Sequence, residues 1–362
     1  MPIAAARTTS FDILLRVEKG GFASDLLLAQ SAGLSSRDAG LAGEIVFGVL
    51  RFRGQLDYLI EFYAGRPRKL DVEVRTALRM GIYQLRYLER IPAHAAVTDA
   101  VELVKRAQKK SATGFVNAIL RQVDRDPVAW PSREVEFSCP EWMLARWERQ
   151  YGAAAAAGIA KAALEQPEAY FRGPEARQQD IGAQAVVPLL HLQAGQTFLD
   201  LCAAPGNKTA QALESGVQVT ACDVHFHRIR QMKTITPNLL VVDGTKALPF
   251  GRQFDRILVD APCTGTGTLG RNPEIKWKLS ADDLTDLPRR QTALLANARE
   301  ALAPGGLLVY ATCSLEPEEN VAVVAAAVPK ELIVETLQRL PGREAGDGFY
   351  AAVIKSEKPA NG

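Results

Sequence analysis

Between residues 197 and 312, five short and almost wholly apolar runs alternate with longer segments of helical spacing. Runs that are apolar at nearly every position are buried on both faces, which is typical of strands in a parallel sheet covered by helices. The alternation therefore predicts a doubly wound α/β domain in the second half of the chain. The strand candidates are TFLDLC (197–202), VQVTACD (217–223), NLLVVD (238–243), FDRILVD (254–260) and GLLVYAT (306–312).

The first half of the chain has apolar residues three and four positions apart, from Arg7 to about Asp126. Short breakers that contain Gly or Pro interrupt this pattern, so we predict an all-helical domain of about six or seven helices. Another helix is predicted over residues 140–152, and breakers at Pro167 and Gly173-Pro174 place the domain boundary in this interval. The clearest helical segments are residues 11–17, 42–50, 74–88, 94–107 and 114–123.

Composition weighs against several classes of protein. Apolar stretches fall short of the roughly 20 residues that cross a bilayer, and the N-terminus lacks the apolar core of a signal peptide. We therefore expect a cytoplasmic protein that contacts no membrane. Five cysteines without a CxxC pair favour reduced thiols over disulfides or a metal site. The net charge is only +2, but basic clusters lie at Arg51/Arg53, 66–69, 105–106 and 109–110; they are either solvated helix faces or an RNA-binding surface.

Unusual residues follow the predicted strands, where the ligands of parallel sheets bind. The first strand leads into the small-residue loop 202–208, whose backbone can approach a ligand at the start of a helix. The next two strands end in Asp223 and Asp243, which could face the ribose and the adenine end of one nucleoside. Each feature alone is more often a turn or a helix cap, and the dinucleotide motif G-x-G-x-x-G is absent. Together they resemble the S-adenosylmethionine site of Rossmann-like methyltransferases.

Two cysteines follow strands that would be neighbours in the sheet. Cys263 lies in DAPCTGTGT just after Asp260, and Cys313 lies in YATCSLEPEEN after the last predicted strand. A predicted helix around residues 288–300 connects these strands, so both thiols would project over the same edge. A single cysteine at a strand end is usually a small buried side chain, whereas two beside a carboxylate are compatible with covalent catalysis.

Three segments resemble the signature segments of the Sun/Nop-type (Fmu) RNA cytosine-C5 methyltransferase family: DLCAAPGNKT (200–209), DAPCTGTGTLGRNPEIKW (260–277) and YATCSLEPEENV (310–321). In addition, GEIVFGVLR, LRMGIYQLRYLERIPAHAAV and GFVNAILR are similar to the NusB-like RNA-binding domain of its bacterial RsmB-like branch. The resemblance implies an all-α NusB-like domain at 1–135 and a Rossmann-like class I methyltransferase domain with a mostly parallel, doubly wound sheet at 181–357. Residues 136–180 would be a helical linker with a truncated remnant of the family's RNA-recognition subdomain.

The resemblance also implies roles for individual residues. Cys313 would attack C6 of cytosine, Cys263 would assist release of the adduct, and Asp260 would hydrogen-bond the base near N3 and N4. Lys276 would help bind the substrate, and Glu319, with Glu316 and Glu318, is expected to point away from the thiols as a helix cap. No metal is expected. S-Adenosylmethionine would be held by Cys202, Ala203, Ala204, Pro205, Gly206, Asn207, Lys208, Asp223, Asp243 and Asp260, and Lys208 would also be close to the substrate.

The sequence departs from the family at two places. Asn207 replaces the usual Gly, and this would matter if the position requires a positive φ. The segment EQPEAYFR (165–172) is followed almost directly in sequence by ARQQDIGAQAVVPLL (176–190), which is expected to be the helix that enters the core. In relatives, several dozen residues separate these two segments. The resemblance therefore implies that most of the family's RNA-recognition subdomain is deleted in this chain.

The leading hypothesis is an S-adenosylmethionine-dependent cytosine-C5 methyltransferase that acts on 16S ribosomal RNA during rRNA processing. RNA is the expected partner; the oligomeric state is left open, with a monomer favoured. One alternative is the same chemistry on transfer RNA or another RNA. A second is a noncatalytic RNA-binding or ribosome-assembly factor that retains the fold. A methyltransferase for proteins or small molecules would leave the basic helical domain without a purpose.

Overall fold

A computed structural model describes residues 3–65, 69–173, 176–251, 253–280 and 282–357. Two compact units divide the chain: residues 1–166 with 270–278, and residues 167–269 with 279–362. In the ranges that the structure describes, each helix is too short or too polar to span a membrane. The helices are α1 (Ala5–Val17), α2 (Ala23–Gln30), α3 (Ser36–Arg51), α4 (Arg53–Ala64), α5 (Val72–Tyr87), α6 (Ala93–Arg106), α7 (Thr113–Leu120), α8 (Arg133–Glu136), α9 (Glu141–Tyr151), α10 (Ala153–Ala162), α11 (Ile181–Gln184), α12 (Asn207–Leu213), α13 (Phe226–Ile229), α14 (Ile275–Lys278), α15 (Asp283–Glu300) and α16 (Val321–Ala327).

The first unit is helical, and α5 lies at its centre. Ten of the sixteen residues of α5 are buried, and the helix packs against α1, α3, α4, α6 and α7. Gly48 of α3 is required where α3 meets α5, because a Cβ at this position would lie 1.9 Å from Tyr83 Cζ. Among the described residues from Ala5 to Leu120, which leave out 66–68, there are seven α-helices, in agreement with the predicted number.

Residues 270–278 pack into this helical unit, although most of them belong to the signature segment 260–277 that contains Cys263. Lys276 Nζ donates to the carbonyl of Arg51 at 2.9 Å, and Trp277 Nε1 donates to the carbonyl of Leu50 at 2.9 Å. Burial lowers the pKa of Lys276 to about 8. The expectation that Lys276 binds the substrate is therefore wrong, because its ammonium group is 1% exposed and is used inside the helical unit.

The second unit contains a seven-stranded sheet and a two-stranded hairpin. The sheet order is β5-β4-β3-β6-β7-β9-β8, in which the first five strands are parallel, β9 runs antiparallel to β7, and β8 runs antiparallel to β9. All five predicted strands are confirmed, whereas β8 and β9 were not predicted. The strands are β1 (Phe171–Arg172), β2 (Arg177–Gln178), β3 (Thr197–Asp200), β4 (Gln218–Asp223), β5 (Leu239–Val241), β6 (Phe254–Asp260), β7 (Leu302–Thr312), β8 (Ile333–Arg339) and β9 (Phe349–Lys355).

Both faces of the sheet are buried, as the apolar runs predict. Leu199 and Ile257 belong to one apolar cluster, while their neighbours Phe198 and Leu258 belong to another. Because successive side chains of a strand point to opposite faces, the two clusters lie on opposite sides of the sheet. This layering leaves the carboxyl ends of the parallel strands free for polar loops.

The interval 165–190 differs from the expectation. Residues 176–190 were predicted as a helix that enters the core, but they form β2, the single turn α11 and a 3₁₀ turn, Val187–Leu190. Asp180 starts α11 by accepting a hydrogen bond from Gly182 N at 2.7 Å, and Pro188 has no N–H to continue a regular helix. In the predicted breaker Gly173-Pro174, Pro174 lies outside the described residues.

Candidate active site

The two cysteine-bearing loops leave adjacent parallel strands. Strand β6 ends at Asp260, which pairs with Ala311 near the end of β7. The Sγ atoms of Cys263 and Cys313 are 3.4 Å apart, within hydrogen-bonding distance for sulfur. Cys313 is exposed and Cys263 is partly buried. The predicted adjacency of the two strands is therefore confirmed, and the pair of thiols opens to solvent through Cys313.

The environment distinguishes the two thiols. The hydrogen bond with Cys313, followed by burial, raises the pKa of the Cys263 thiol above its usual value. The raised pKa favours the protonated form of Cys263, whose sulfur lies within hydrogen-bonding distance of the Cys313 sulfur. Since a thiolate is the nucleophilic form of cysteine, this arrangement combines a nucleophile with a neighbouring proton donor.

Lys208, at the end of the small-residue loop 202–208, lies close to the Cys263 and Cys313 thiols. Lys208 Nζ forms an ion pair with Asp260 Oδ2 at 2.6 Å. Burial, the largest single influence, would lower the pKa of Lys208, but the charge of Asp260, its hydrogen bond and smaller contributions from Cys313 and Asp200 together raise it. The ammonium group is therefore charged and can stabilise a thiolate on Cys313.

The loop between β3 and α12 has a backbone that only glycine can adopt at one position. Gly206 has φ +106°, and a Cβ there would lie 2.5 Å from Ile235 Cδ1. The positive φ falls on Gly206 and not on Asn207, which is the first residue of α12. Asn207 therefore carries no backbone strain, and the condition under which it would weaken the loop does not hold.

Backbone hydrogen bonds fix the rest of this loop. Ala203 N donates to the carbonyl of Cys222 at 2.8 Å, and Arg228 Nη2 donates to the carbonyl of Ala204 at 2.9 Å. Both alanines are buried. Burial raises the pKa of the Cys202 thiol well above its usual value, so this thiol is neutral and Cys202 offers its backbone rather than a charged side chain.

Acidic residues lie at the carboxyl ends of three neighbouring strands: Asp200 ends β3, Asp223 ends β4, and Asp243 follows β5. Asp223 Oδ1 accepts from His225 N at 2.8 Å, and Asp243 Oδ1 accepts from Thr245 Oγ1 at 2.6 Å, which lowers the pKa of Asp243. Asp200, to which the sequence analysis gave no role of its own, has an unpartnered buried Oδ1, while its Oδ2 accepts from Thr209 Oγ1. An unpartnered acceptor beside a small-residue loop fits a ligand that brings a cationic donor, as the amino-acid part of S-adenosylmethionine would.

The chain was compared with known proteins. A family model described as 16S rRNA methyltransferase RsmB/F matches residues 187–355, and a NusB family model matches residues 4–125. A Bacillus subtilis relative named probable ribosomal RNA small subunit methyltransferase B is 30% identical over 91% of this chain and 89% of its own. The ribosomal RNA small subunit methyltransferase B of Cronobacter sakazakii is 33% identical over 94% of this chain and 96% of its own.

This chain belongs to the RsmB/F methyltransferase family. The resemblance seen in the sequence is thereby confirmed over most of the chain, including its NusB part. The alignment with the Cronobacter relative has 419 positions, which is more than the 362 residues of this RsmB/F chain. The Cronobacter protein therefore carries internal residues that are missing here.

Solved structures support the fold. The crystal structure of PH0851 has a TM-score of 0.76 at 20% identity and covers 98% of this chain and 99% of its own. A methyltransferase homologue from Pyrococcus horikoshii has a TM-score of 0.52 at 23% identity, over 63% of this chain and all of its own. The Rossmann-like methyltransferase fold predicted for the second half of the RsmB/F chain is confirmed.

One acidic residue after Cys313 is placed differently from the expectation. Glu319 was expected to point away as a helix cap, but its carboxylate accepts hydrogen bonds from Thr264 and Ser314, the residues that follow the two cysteines. The turn at 316–320 redirects it, since Glu319 N donates to the carbonyl of Glu316 at 3.0 Å. The expectation for Glu319 is therefore wrong.

The basic clusters of the RsmB/F chain are largely paired within the helical unit. Arg51 is buried and donates to the carbonyl of Gly270 at 2.9 Å. Residues 66–68, from another cluster, lie outside the described residues. In the part of the chain that the structure describes, no group of three or more His, Cys, Asp or Glu could hold a metal ion. The other paired cations are Arg53 with Glu18, Lys105 with Glu102, Arg106 with Asp12 and Lys109 with Asp71.

Proposed function

We propose that this RsmB/F chain methylates C5 of a cytosine in 16S ribosomal RNA through a covalent adduct between Cys313 and C6 of the base. The carrying observation is the 3.4 Å separation of the Cys263 and Cys313 sulfurs beside the Lys208–Asp260 ion pair. The names of the relatives support the ribosomal substrate. The NusB part supports an RNA substrate in general.

The reaction needs a nucleophile on the enzyme, because C5 of cytosine is too electron-poor to take a methyl group directly. The Cys313 thiolate adds to C6, an S–C6 bond forms, and the electrons of the C5=C6 bond increase the density at C5. Covalent catalysis thus divides one difficult step into two easier ones. When bound, S-adenosylmethionine supplies an electrophilic methyl group on a sulfonium sulfur.

Asp260 orients the base during this attack. Its carboxylate accepts hydrogen bonds from the N4 amino group and from protonated N3, so it stabilises the ring as electrons move into it. The ion pair with Lys208 at 2.6 Å holds the carboxylate in place before the base arrives. Orientation of this kind lowers the barrier, because the enzyme group does not have to reorganise during the reaction.

Release reverses the first step. After methyl transfer, C5 carries both a proton and the methyl group. A water molecule takes the proton from C5, the electrons of the C5–H bond re-form C5=C6, and the S–C6 bond breaks, which returns Cys313 as a thiolate. Cys263 assists by donating its S–H to the departing sulfur, a role supported by the hydrogen bond between the two thiols.

The cofactor loop and the acids around it are proposed to bind S-adenosylmethionine. Gly206 lets the backbone approach the ligand, the buried Asp200 Oδ1 accepts from its cationic end, and Asp223 and Asp243 face its nucleoside. The proposed contacts also include the loop residues Cys202, Ala203, Ala204, Pro205, Asn207 and Lys208, together with Asp260.

Bisulfite sequencing of ribosomal RNA tests the substrate. A deletion strain is expected to lose methylation at one 16S rRNA cytosine, and a plasmid copy is expected to restore it, whereas a copy with Cys313→Ser is not. An unchanged 16S rRNA pattern in the deletion strain would rule out the ribosomal assignment.

A second candidate, the same chemistry on another RNA, is favoured by the short interval 165–190. The described residues of this interval, 165–173 and 176–190, form a two-stranded hairpin, β1–β2, and short turns, and the Cronobacter relative carries internal residues that this chain lacks. Transcriptome-wide methylcytosine mapping in the same strains distinguishes the candidates: loss of a site in transfer RNA with intact 16S rRNA sites supports the second.

A further inference from the structure

A fully buried carboxylate lies directly behind the two cysteines. Glu319 is 0% exposed. One of its oxygens accepts from Thr264 N at 2.9 Å and from Gln291 Nε2 at 2.9 Å. The other accepts from the hydroxyls of Thr264 and Ser314. Thr264 follows Cys263 and Ser314 follows Cys313, so one carboxylate is bonded to the neighbour of each thiol.

Neighbouring side chains also fix the residue that precedes each cysteine in sequence. Gln291 Nε2 also donates to the carbonyl of Pro262 at 2.8 Å, which fixes the residue before Cys263. Thr312 Oγ1 donates to Asn320 Oδ1 at 2.5 Å, which fixes the residue before Cys313. The backbone of Glu319 is itself anchored, because Tyr310 Oη donates to its carbonyl at 2.7 Å.

The charge of Glu319 has no cationic partner among the described residues within ion-pair distance. Burying a carboxylate without a counter-ion is costly, and an apolar residue of similar volume would usually pack at lower cost. What the carboxylate provides instead is four hydrogen bonds, three of them to the two cysteine loops. A buried hydrogen-bonded network of this kind makes the local structure rigid.

We propose that Glu319 is a positioning residue that sets the separation of the Cys263 and Cys313 thiols by tying together Thr264 and Ser314. Its kinetic consequence rests on the proposed function, since release of the adduct needs the two sulfurs in contact. Its geometric consequence does not, because the distance between the thiols can be measured without RNA.

The geometric test is binding of phenylarsine oxide, a trivalent arsenical that condenses with two adjacent thiols and releases water. The proteins are the full-length wild type, Glu319→Gln and Glu319→Ala. Cys263→Ala and Cys313→Ala give the single-thiol baseline, which corrects for the three other cysteines. The amide of Gln can still accept from Thr264 N and can donate to the two hydroxyls, so it preserves the bridge without the charge.

The wild type and Glu319→Gln are expected to bind the arsenical with affinities that agree within about threefold. Glu319→Ala is expected to weaken binding by about 10- to 100-fold, toward the single-thiol baseline, because a bivalent ligand loses affinity when its two sites lose their spacing. Wild-type affinity in Glu319→Ala would overturn the proposal. Equal weakening in both variants would overturn it as well, because it would assign the effect to charge rather than to position.

The kinetic test uses methyl transfer to 16S ribosomal RNA. Glu319→Ala is expected to lower kcat by about 100-fold, the cost of a misplacement near 1 Å, with the KM for S-adenosylmethionine unchanged and with kcat rescued by Glu319→Gln. A kcat within threefold of wild type in Glu319→Ala would refute the positioning role. An inactive wild type that still binds the arsenical would refute the proposed function alone.

Ser314→Ala keeps the proposal testable if Glu319→Ala does not fold. This variant removes only the hydroxyl that joins the Cys313 loop to the carboxylate. Ser35→Ala, which removes an exposed helix-capping hydroxyl of α3, is the matched control. Ser314→Ala is expected to bind the arsenical at least threefold more weakly than the control, and equal binding would overturn the proposal.

Discussion

Lys208 Nζ lies 2.6 Å from Asp260 Oδ2, and this ion pair joins the loop after β3 to the strand that leads to Cys263. Both side chains are partly buried, at 18% and 33% exposure, so the pair is screened less than a surface pair. Asp260 is proposed to orient the cytosine, and Lys208 is proposed to orient Asp260. The two residues should therefore act as one unit.

Removal of Lys208 tests this coupling. Lys208→Met is expected to lower kcat for methyl transfer by about 100-fold, comparable to loss of one positioned electrostatic group in other active sites. Asp260→Asn should lower it similarly, and the double variant should lose little more than either single variant, because one unit is removed once. Lys330→Met, a change at an exposed lysine of the same unit, is the control. Additive losses in the double variant would disprove the coupling.

The raised pKa of Asp200 predicts that the stability of the folded protein depends on pH. Burial raises its pKa to about 7, above the value of about 3.9 in an unfolded chain. The folded state therefore binds this proton more tightly than the unfolded state, so the contribution of Asp200 to the free energy of unfolding decreases as pH rises from about 4 to about 7. Asp200→Asn should become more stable relative to wild type across this window, by about 1 kcal/mol or more.

Thermal unfolding of both proteins between pH 4 and pH 8 measures this difference. Asp255→Asn is the control, because hydrogen bonds from Thr197 lower the pKa of Asp255 and its contribution is constant above pH 4. A constant offset between Asp200→Asn and wild type over the whole range would contradict the raised pKa of Asp200.

Gly206 predicts a loss of cofactor affinity. Alanine at φ +106° is strained by roughly 1–2 kcal/mol, and its Cβ would lie 2.5 Å from Ile235 Cδ1. Gly206→Ala is therefore expected to weaken S-adenosylmethionine binding about tenfold by calorimetry. Gly40→Ala, at a helical position with open space around it, should bind as wild type does. Unchanged affinity in Gly206→Ala would exclude this loop from the cofactor site.

The central strands of the sheet could be predicted because each contains a short apolar run that is buried on both faces. Strand β6 covers the predicted residues 254–260 from end to end. Strand β8 gave a weaker signal. Strand β8 is the edge of the sheet and is mostly exposed, so its sequence has neither an apolar run nor a clear alternation.

The direction of individual side chains in the loops could not be predicted in the same way. Strand adjacency was enough to bring Cys263 and Cys313 together, because both follow neighbouring parallel strands. Glu319 and Lys276 depend instead on local turns and on tertiary packing, which sequence spacing does not report. Hydrophilic residues at these positions are usually solvated, and only the structure shows that both are buried.

The nucleophilic role of Cys313 is tested most directly by trapping the covalent intermediate. Cys263→Ala, incubated with S-adenosylmethionine and 16S ribosomal RNA, should accumulate a protein–RNA adduct that survives denaturing electrophoresis, because addition by Cys313 remains possible while release is slowed. The double variant Cys263→Ala/Cys313→Ala should form none. An adduct that persists in the double variant, or its absence from Cys263→Ala when the cofactor still binds, would contradict covalent catalysis by Cys313.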